Sequence, residues 1–304
     1  MNRSELFKGL RAAIRSLAIV ITVIFGVMDA SADHYTDYIE KYSDIAVEQQ
    51  DRYGIPASIT LAQGLLESGA GRSTLATEGN NHFGIKCHSD WTGASMLRND
   101  DAPDECFRVY DNARQSFEDH SRFLSRKRYA PLFEHAATDY VSWARTLREC
   151  GYATDPNYAD KLITIIERYT LYAYDTPGGR QVEETAGYIL EHLRTSHVIR
   201  RSRGLHYVVA TPGDTYSGIA REFNMPLKKI LAYNDVNKDG RIRAWEEVYL
   251  EEKKDEGPGK VKKATIGEDE SMHSISQRYG MKLSSLKALN PKAKDKPGQK
   301  LKLR

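Results

Sequence analysis

Hydrophobic positions in the first half of the chain recur mostly at helical spacing. In TDYIEKYSDIAVEQQDRY (36–53), Tyr38, Tyr42, Ile45 and Ala46 share one face. Gly54-Ile55-Pro56 breaks the run, and Pro56 suits the start of the next helix. That helix, ASITLAQGLLES, puts Ile59, Ala62 and Leu66 on one side with Leu61 and Leu65 beside them. Glu67 stands in its last turn, and Gly69 and Gly71 end it where positive φ is needed. WTGASML and ECFRVY are instead short and rich in aromatic and β-forming residues, separated by polar RNDDAPD, and predict a small hairpin. Helical patterns return at about 115–127, 139–149 and 157–171, the last with Leu162, Ile165, Ile166 and Tyr169 on one stripe.

DTPGGR ends this region, and residues 181–204 read as a connector closing on RRSRG. A repeated unit follows. GDTYSGIAREFNMPLKKILAYN, from 213, aligns with DESMHSISQRYGMKLSSLKALN, from 269. Ile219 matches Ile275, Phe223 matches Tyr279, Met225 matches Met281, Leu227 matches Leu283, and Asn234 matches Asn290. Each copy has a strand-like start, two short helices and a strand-like end, as repeated small domains do.

Charge separates the two regions. The net charge of +2 divides into four Lys/Arg against two Asp/Glu over 1–32, 18 against 26 over 33–200, and 22 against 14 over 201–304. The basic half lacks an aromatic-interleaved stripe or a basic recognition helix, which argues against nucleic acid and for a polyanionic surface. At the start, Arg3, Lys8, Arg11 and Arg15 precede an apolar core, Leu17–Val27, and a small-x-small site at Ala30-Ser31-Ala32. Residues 1–32 therefore read as a signal peptide, the apolar core being about half of what a bilayer crossing needs. A secreted or periplasmic protein without stable membrane insertion is expected. In such a compartment Cys87 and Cys106, flanking the hairpin, are the expected disulfide, with Cys150 left over. No CxxC or HExxH occurs and the nine histidines are scattered, so no metal and no cofactor are expected.

Residues 54–174 resemble the glucosaminidase domain of family 73 glycoside hydrolases, which includes flagellar and autolytic peptidoglycan hydrolases. The matching pieces are Leu61-Ala62-Gln63 with Glu67-Ser68, then GNNHFGIKC, FRVYDN followed by DH, and GYATDPNYADKL at 151–162. The C-terminal copies resemble LysM modules. The resemblance implies an α+β class: a lysozyme-like, mostly helical catalytic domain with a β-hairpin lobe, then two βααβ modules. It implies the boundaries 33–178 (catalytic), 179–204 (linker), 205–254 and 259–304. It also implies an endo-acting β-N-acetylglucosaminidase, cleaving the β-1,4 bond between N-acetylglucosamine and N-acetylmuramic acid, with glycan strands as partner. A monomer is expected.

The chemistry agrees. Glycosidic cleavage needs a carboxylic acid still protonated near neutral pH, and apolar surroundings supply that by penalising the charged form. Glu67, closing LAQGLL, fits that role. The resemblance places a second carboxylate on the hairpin lobe, where LRNDDAPDECFRVY offers Asp100, Asp101, Asp104 and Glu105. The offset to Phe107-Arg108 favours Asp101, then Asp100, for activating water or stabilising the oxocarbenium-like state. Assistance from the substrate's N-acetyl group is the alternative, so the stereochemistry stays open. Tyr152 and Tyr158 map onto groove-lining tyrosines, and Asn80 and Asn81 could let backbone approach a sugar. Phe83, Trp91 and Tyr110 are expected platforms that could equally be core. His82 reads as tolerated variation. DVNKDGRIRAWE (235–246) matches an EF-hand loop at Asp235, Asn237, Asp239, Gly240, Ile242 and Glu246, but the segment after it is a poor helix. A turn built on Asn and Gly explains the same letters. The unaligned DDAPDE stretch keeps a non-catalytic wall-binding protein as the alternative function.

Overall fold

The computed structural model describes residues 34–89, 91–100, 102–176 and 197–304. The segment 1–32, read above as a signal peptide, Asp101 and most of the 179–204 connector lie outside the described residues.

The first region is built around one buried helix. Helix α1 is His34–Tyr53, α2 is Ala57–Ser68 and α3 is Thr74–Gly79. Ile59, Leu61, Ala62 and Leu65 of α2 are fully buried, and so are Thr60 and Gln63. A helix this apolar all round must be covered on every side. The cover comes from α1, α4 (Ala113–Leu124), α5 (Tyr140–Glu149), α6 (Tyr158–Arg168) and a 3-10 turn, Leu171–Asp175. That turn also satisfies the amides exposed at the start of α2. The Ser58 amide and hydroxyl donate to the Asp175 carboxylate at 2.8 and 2.6 Å, and the Ala57 amide donates to Gln50 Oε1 at 2.7 Å. At the other end Gly69 takes φ 57° and its amide donates to Leu65 O. Ser68 Oγ then accepts from the Gly71 amide at 2.7 Å, pinning the chain directly after Glu67.

The hairpin pairs β1 (Ser95–Arg98) with β2 (Glu105–Arg108), antiparallel, from Ser95 opposite Arg108 to Arg98 opposite Glu105. Ile85–Cys87 runs along β2, and the Cys87–Cys106 disulfide (Cα–Cα 5.3 Å) ties it there, leaving Cys150 free. The expected pairing is the one present.

Each C-terminal repeat runs strand, helix, helix, strand. The first holds β4 (Leu205–Val209), α7 (Tyr216–Glu222), α8 (Leu227–Tyr233) and β5 (Glu247–Tyr249). The second holds β6 (Lys263–Thr265), α9 (Met272–Arg278), α10 (Leu283–Leu289) and β7 (Lys300–Lys302). The paired asparagines of the repeat have one job in both copies. Asn234 brackets Tyr249, giving to its carbonyl (2.9 Å) and taking from its amide (2.8 Å), and Asn290 does the same to Lys302 at 2.8 and 2.8 Å. The end of the second helix is thereby tied to the closing strand. The first repeat has one addition: Arg200–Ser202, read as connector, forms β3 and pairs with β4. Its letters, RRS, carry no apolar alternation, so only the unpaired edge of β4 makes it a strand. Among the described residues no helix is long and apolar enough to cross a membrane.

Candidate active site

Glu67 ends the buried helix with its carboxyl enclosed, although the residue as a whole keeps some exposure. Burial pushes the carboxyl up from 4.5 to about 7. A hydrogen bond from Tyr158 opposes that rise, Asp100 and Asp155 add to it by repulsion, and Lys161 reduces it. The group therefore holds a proton near neutrality and stands close enough to the hairpin and to α6 to feel both.

Its orientation is set by a chain of donors. Tyr158 OH donates to Glu67 Oε1 at 2.7 Å, and Gln63 Nε2 donates to Tyr158 OH at 3.0 Å. Gln63 Oε1 is thus left to accept from His120 Nε2 at 3.1 Å. This fixes His120 as the Nε2–H tautomer, and burial, which pushes its pKa down to about 3, keeps it neutral. The imidazole is stacked on Phe83, ring centroids 3.9 Å apart. Tyr152 stacks on Tyr158 at 5.6 Å, covering the tyrosine that holds Glu67. Tyr158→Phe is expected to lower kcat/KM about 10- to 100-fold by freeing the carboxyl from its near-attack orientation. Removing a bond that favours the charged form should also move the alkaline limb of the pH–rate profile upward. A normal rate with an unmoved limb would show that the bond has no part in catalysis.

The opposite wall is the hairpin tip. Asp100 pairs with Lys86 Nζ at 2.9 Å, and the same ammonium holds Glu105 at 3.0 Å. Asp104 takes φ 55° and its amide donates to Asn99 Oδ1 at 3.2 Å. Of the two carboxylates favoured from sequence, Asp100 is described and faces Glu67 electrostatically; Asp101 lies outside the described residues.

Other candidate positions turn out to brace the site. Asn81 is buried and its amide is fully engaged, donating to Ile85 O (3.0 Å) and Arg108 O (2.9 Å) and accepting from the Ile85 amide (3.0 Å). Asn80, with φ 49°, caps α3 and donates to Tyr110 O at 2.9 Å. Phe83 is core. Tyr110 is buried and donates to Asp119 Oδ2 at 2.6 Å, beside the Arg108–Asp119 ion pair at 3.0 Å. The FRVYDN…DH letters thus encode a clamp between β2 and α4, with His120 next in line reaching Gln63. Trp91 is partly exposed, unlike Phe83 and Tyr110, with the Arg108 guanidinium 4.7 Å from its ring centroid. His82 is a packed core histidine, bonded to Tyr38 OH at 3.1 Å, with burial pushing its pKa down to about 4.

Sequence reasoning singled out Gln63 and the DH pair only as matching letters; their mutual hydrogen bond spans 57 positions and has no local signal. In the 235–246 loop, Asp235 is directed to Lys253 (2.8 Å) and the Leu283 amide (2.9 Å), and Asp239 to the Ser217 amide (3.0 Å). Among the described residues no three His, Cys, Asp or Glu side chains gather as metal ligands.

The fold and site define a mostly helical domain with an enclosed acid facing a small hairpin lobe, followed by two repeated modules. Residues 43–171 match the glucosaminidase family model, described as mannosyl-glycoprotein endo-beta-N-acetylglucosaminidase, and residues 208–244 and 264–304 match the LysM domain. The chain thus carries a glucosaminidase-family domain followed by two LysM domains. It is 35% identical over 157 residues to the exo-glucosaminidase LytG of Bacillus subtilis, covering 47% of this chain and 54% of that one. It is also 35% identical over 158 residues to the peptidoglycan hydrolase FlgJ of Pseudomonas aeruginosa, covering 48% and 38%. A solved peptidoglycan hydrolase mutant from Sphingomonas sp. A1 is 33% identical, with 45% of this chain and 96% of that one covered and a TM-score of 0.40. The chain spans about half the length of the curated relatives it matches.

Proposed function

We propose that this protein hydrolyses the β-1,4 bond between N-acetylglucosamine and N-acetylmuramic acid in peptidoglycan, held at the cell wall by its LysM modules. The observation that carries this reading is the Glu67 carboxyl, enclosed at a helix end, protonated near neutral pH and oriented by Tyr158. In the reaction Glu67 gives its proton to the glycosidic oxygen as the bond to the anomeric carbon breaks. Asp100, or Asp101 beside it, stabilises the oxocarbenium-like state or activates the attacking water. Lys86 Nζ, 2.9 Å from Asp100 Oδ2, holds that side chain in place at the hairpin tip. Tyr152, partly exposed, offers its hydroxyl and ring to the sugar, whereas Tyr158, expected from sequence to line the groove, is buried with its hydroxyl committed to Glu67 and Gln63. The family fold implies the lysozyme-like arrangement of the two lobes. A leader at 1–32 would deliver the chain to a secreted or periplasmic, wall-associated location, where the basic modules meet anionic polymer.

The test is digestion of purified peptide-free glycan strands. New reducing ends identified by mass as N-acetylglucosamine are the expected product. Reducing ends of N-acetylmuramic acid would overturn the bond assignment, and none at all would favour a wall-binding protein without catalysis.

A further inference from the structure

The LysM pair is anchored to the α6 wall of the groove by buried polar contacts. Asn157, directly before Tyr158, donates from Nδ2 to Glu247 Oε1 at 2.9 Å and to Arg278 O at 3.4 Å. Lys161 Nζ lies between Asp155 (2.7 Å) and Glu247 (3.0 Å), and both Asn157 and Glu247 are almost fully buried. One turn away, Tyr207 OH donates to Asp160 at 2.5 Å and Arg200 to Thr164 Oγ1 at 2.9 Å.

The second module is joined rigidly to the first. Gln277 Nε2 donates to Asn234 Oδ1 and to Glu247 O, both at 2.9 Å, and Tyr249 OH donates to Gln277 O at 2.7 Å. The Lys282 amide donates to Lys254 O at 2.7 Å, and the Leu283 amide donates to Asp235 Oδ2 at 2.9 Å. From that position the second module reaches the other wall. Glu268 Oε1 accepts from both the Asn99 amide (2.9 Å) and Asn99 Nδ2 (2.7 Å). Gly298, with φ 78°, lies so close that a Cβ there would stand 3.1 Å from Asn99 Oδ1. The hairpin tip is therefore seated between the loop after β6 and the loop before β7.

The two anchor points are chain neighbours of the groups that face Glu67: Asn99 adjoins Asp100, and Asn157 adjoins Tyr158. We propose that the LysM pair bridges the two walls and closes one end of the catalytic groove. The enzyme then takes a glycan strand by its terminus and releases short products of set length, instead of cutting internally as the family resemblance implies. This rests on the glycosidase reading above. A strand entering the groove has no path onward past the Asn99–Glu268 contact, so the number of sugars accommodated beyond the scissile bond is set by this closed end. Glu268 is a specificity-determining residue, outside the reacting groups.

The experiment follows strand length against bonds broken, using the full chain on long peptide-free glycan strands. At low conversion the parent is expected to release short products while the long strands keep their length. Glu268→Ala, which removes both bonds to Asn99, is expected to add internal cuts and shorten the long strands at the same number of reducing ends. Internal cutting by the parent from the first turnovers would overturn the proposal while leaving the glycosidase reading intact; no reducing ends from any form would remove both. A chain carrying Asn99→Cys with Glu268→Cys separates a closed end from a gate. Oxidised, it is expected to keep the parent rate and products on short oligomers. Activity that returns only on reduction would mean that the bridge must open for turnover, and would overturn the closed-end assignment.

Discussion

Glu67→Gln is expected to lower kcat/KM by roughly 10² to 10⁴ and, at the same time, to make the protein more stable above neutrality. The two effects share one cause, the enclosure that pushes the carboxyl to about 7. The parent's kcat/KM should fall as pH rises through that value, because the proton to be delivered is lost, and the substituted enzyme's residual rate should lack that limb. For stability the folded-state value lies above the unfolded one. Below about pH 4.5 both states carry the proton and enclosure brings no ionic penalty. As pH climbs from there to about 7 the unfolded chain ionises while the folded one does not, and the parent loses stability. A rise from 4.5 to about 7 corresponds to about 3 kcal/mol once complete. Glutamine has no proton to lose, so the difference between the variants should grow across that window. Urea unfolding of both forms at pH 4 and pH 8 measures it. A stability difference that ignores pH, or digestion within a few-fold of the parent, would refute the assignment of Glu67 as the proton donor.

The second large effect concerns Lys161, a buried ammonium held by Asp155 of its own domain and Glu247 of the first LysM module. Burial alone would lower its pKa, but the two carboxylates outweigh it and the group is held above its usual value. Glu247→Ala is expected to destabilise the protein by about 3 kcal/mol, the low end for breaking a buried pair, because Asp155 remains. It also removes the acceptor of Asn157, so catalytic domain and modules should unfold in two separate urea transitions where the parent shows one. Adding Lys161→Met to Glu247→Ala should recover much of the loss, since an apolar side chain of similar length leaves no unpaired charge. A single substitution within about 0.5 kcal/mol of the parent would mean that this contact does not couple the domains.

Features recorded in neighbouring letters were legible before folding. The apolar run of α2, its glycine end and the acid at its last turn gave Glu67 as candidate, because an all-round apolar helix has to be buried wherever it is placed. The hairpin, the Cys87–Cys106 pair and the two C-terminal copies are likewise short-range patterns. The boundary at residue 200 was not legible, since RRS becomes a strand only beside β4.

What needed the tertiary structure is every property that depends on which distant group fills a buried space. Asn81, Phe83 and Tyr110 have the composition of a sugar site, yet they brace the loop and the core because Ile85, His120 and Asp119 occupy their polar or flat faces. The pKa of Glu67 is raised by burial among remote segments and moderated by Tyr158, 91 positions away, and that of Lys161 is held up by Asp155 and by Glu247, in another domain. By itself the sequence determined the elements, the repeat and the acid, because periodicity and chain reversal act over a few residues. The three-dimensional packing alone decided how that acid is held, which candidates reach the groove, and where the LysM pair lies against its walls, because desolvation and hydrogen-bond satisfaction are settled only when remote segments exclude water together.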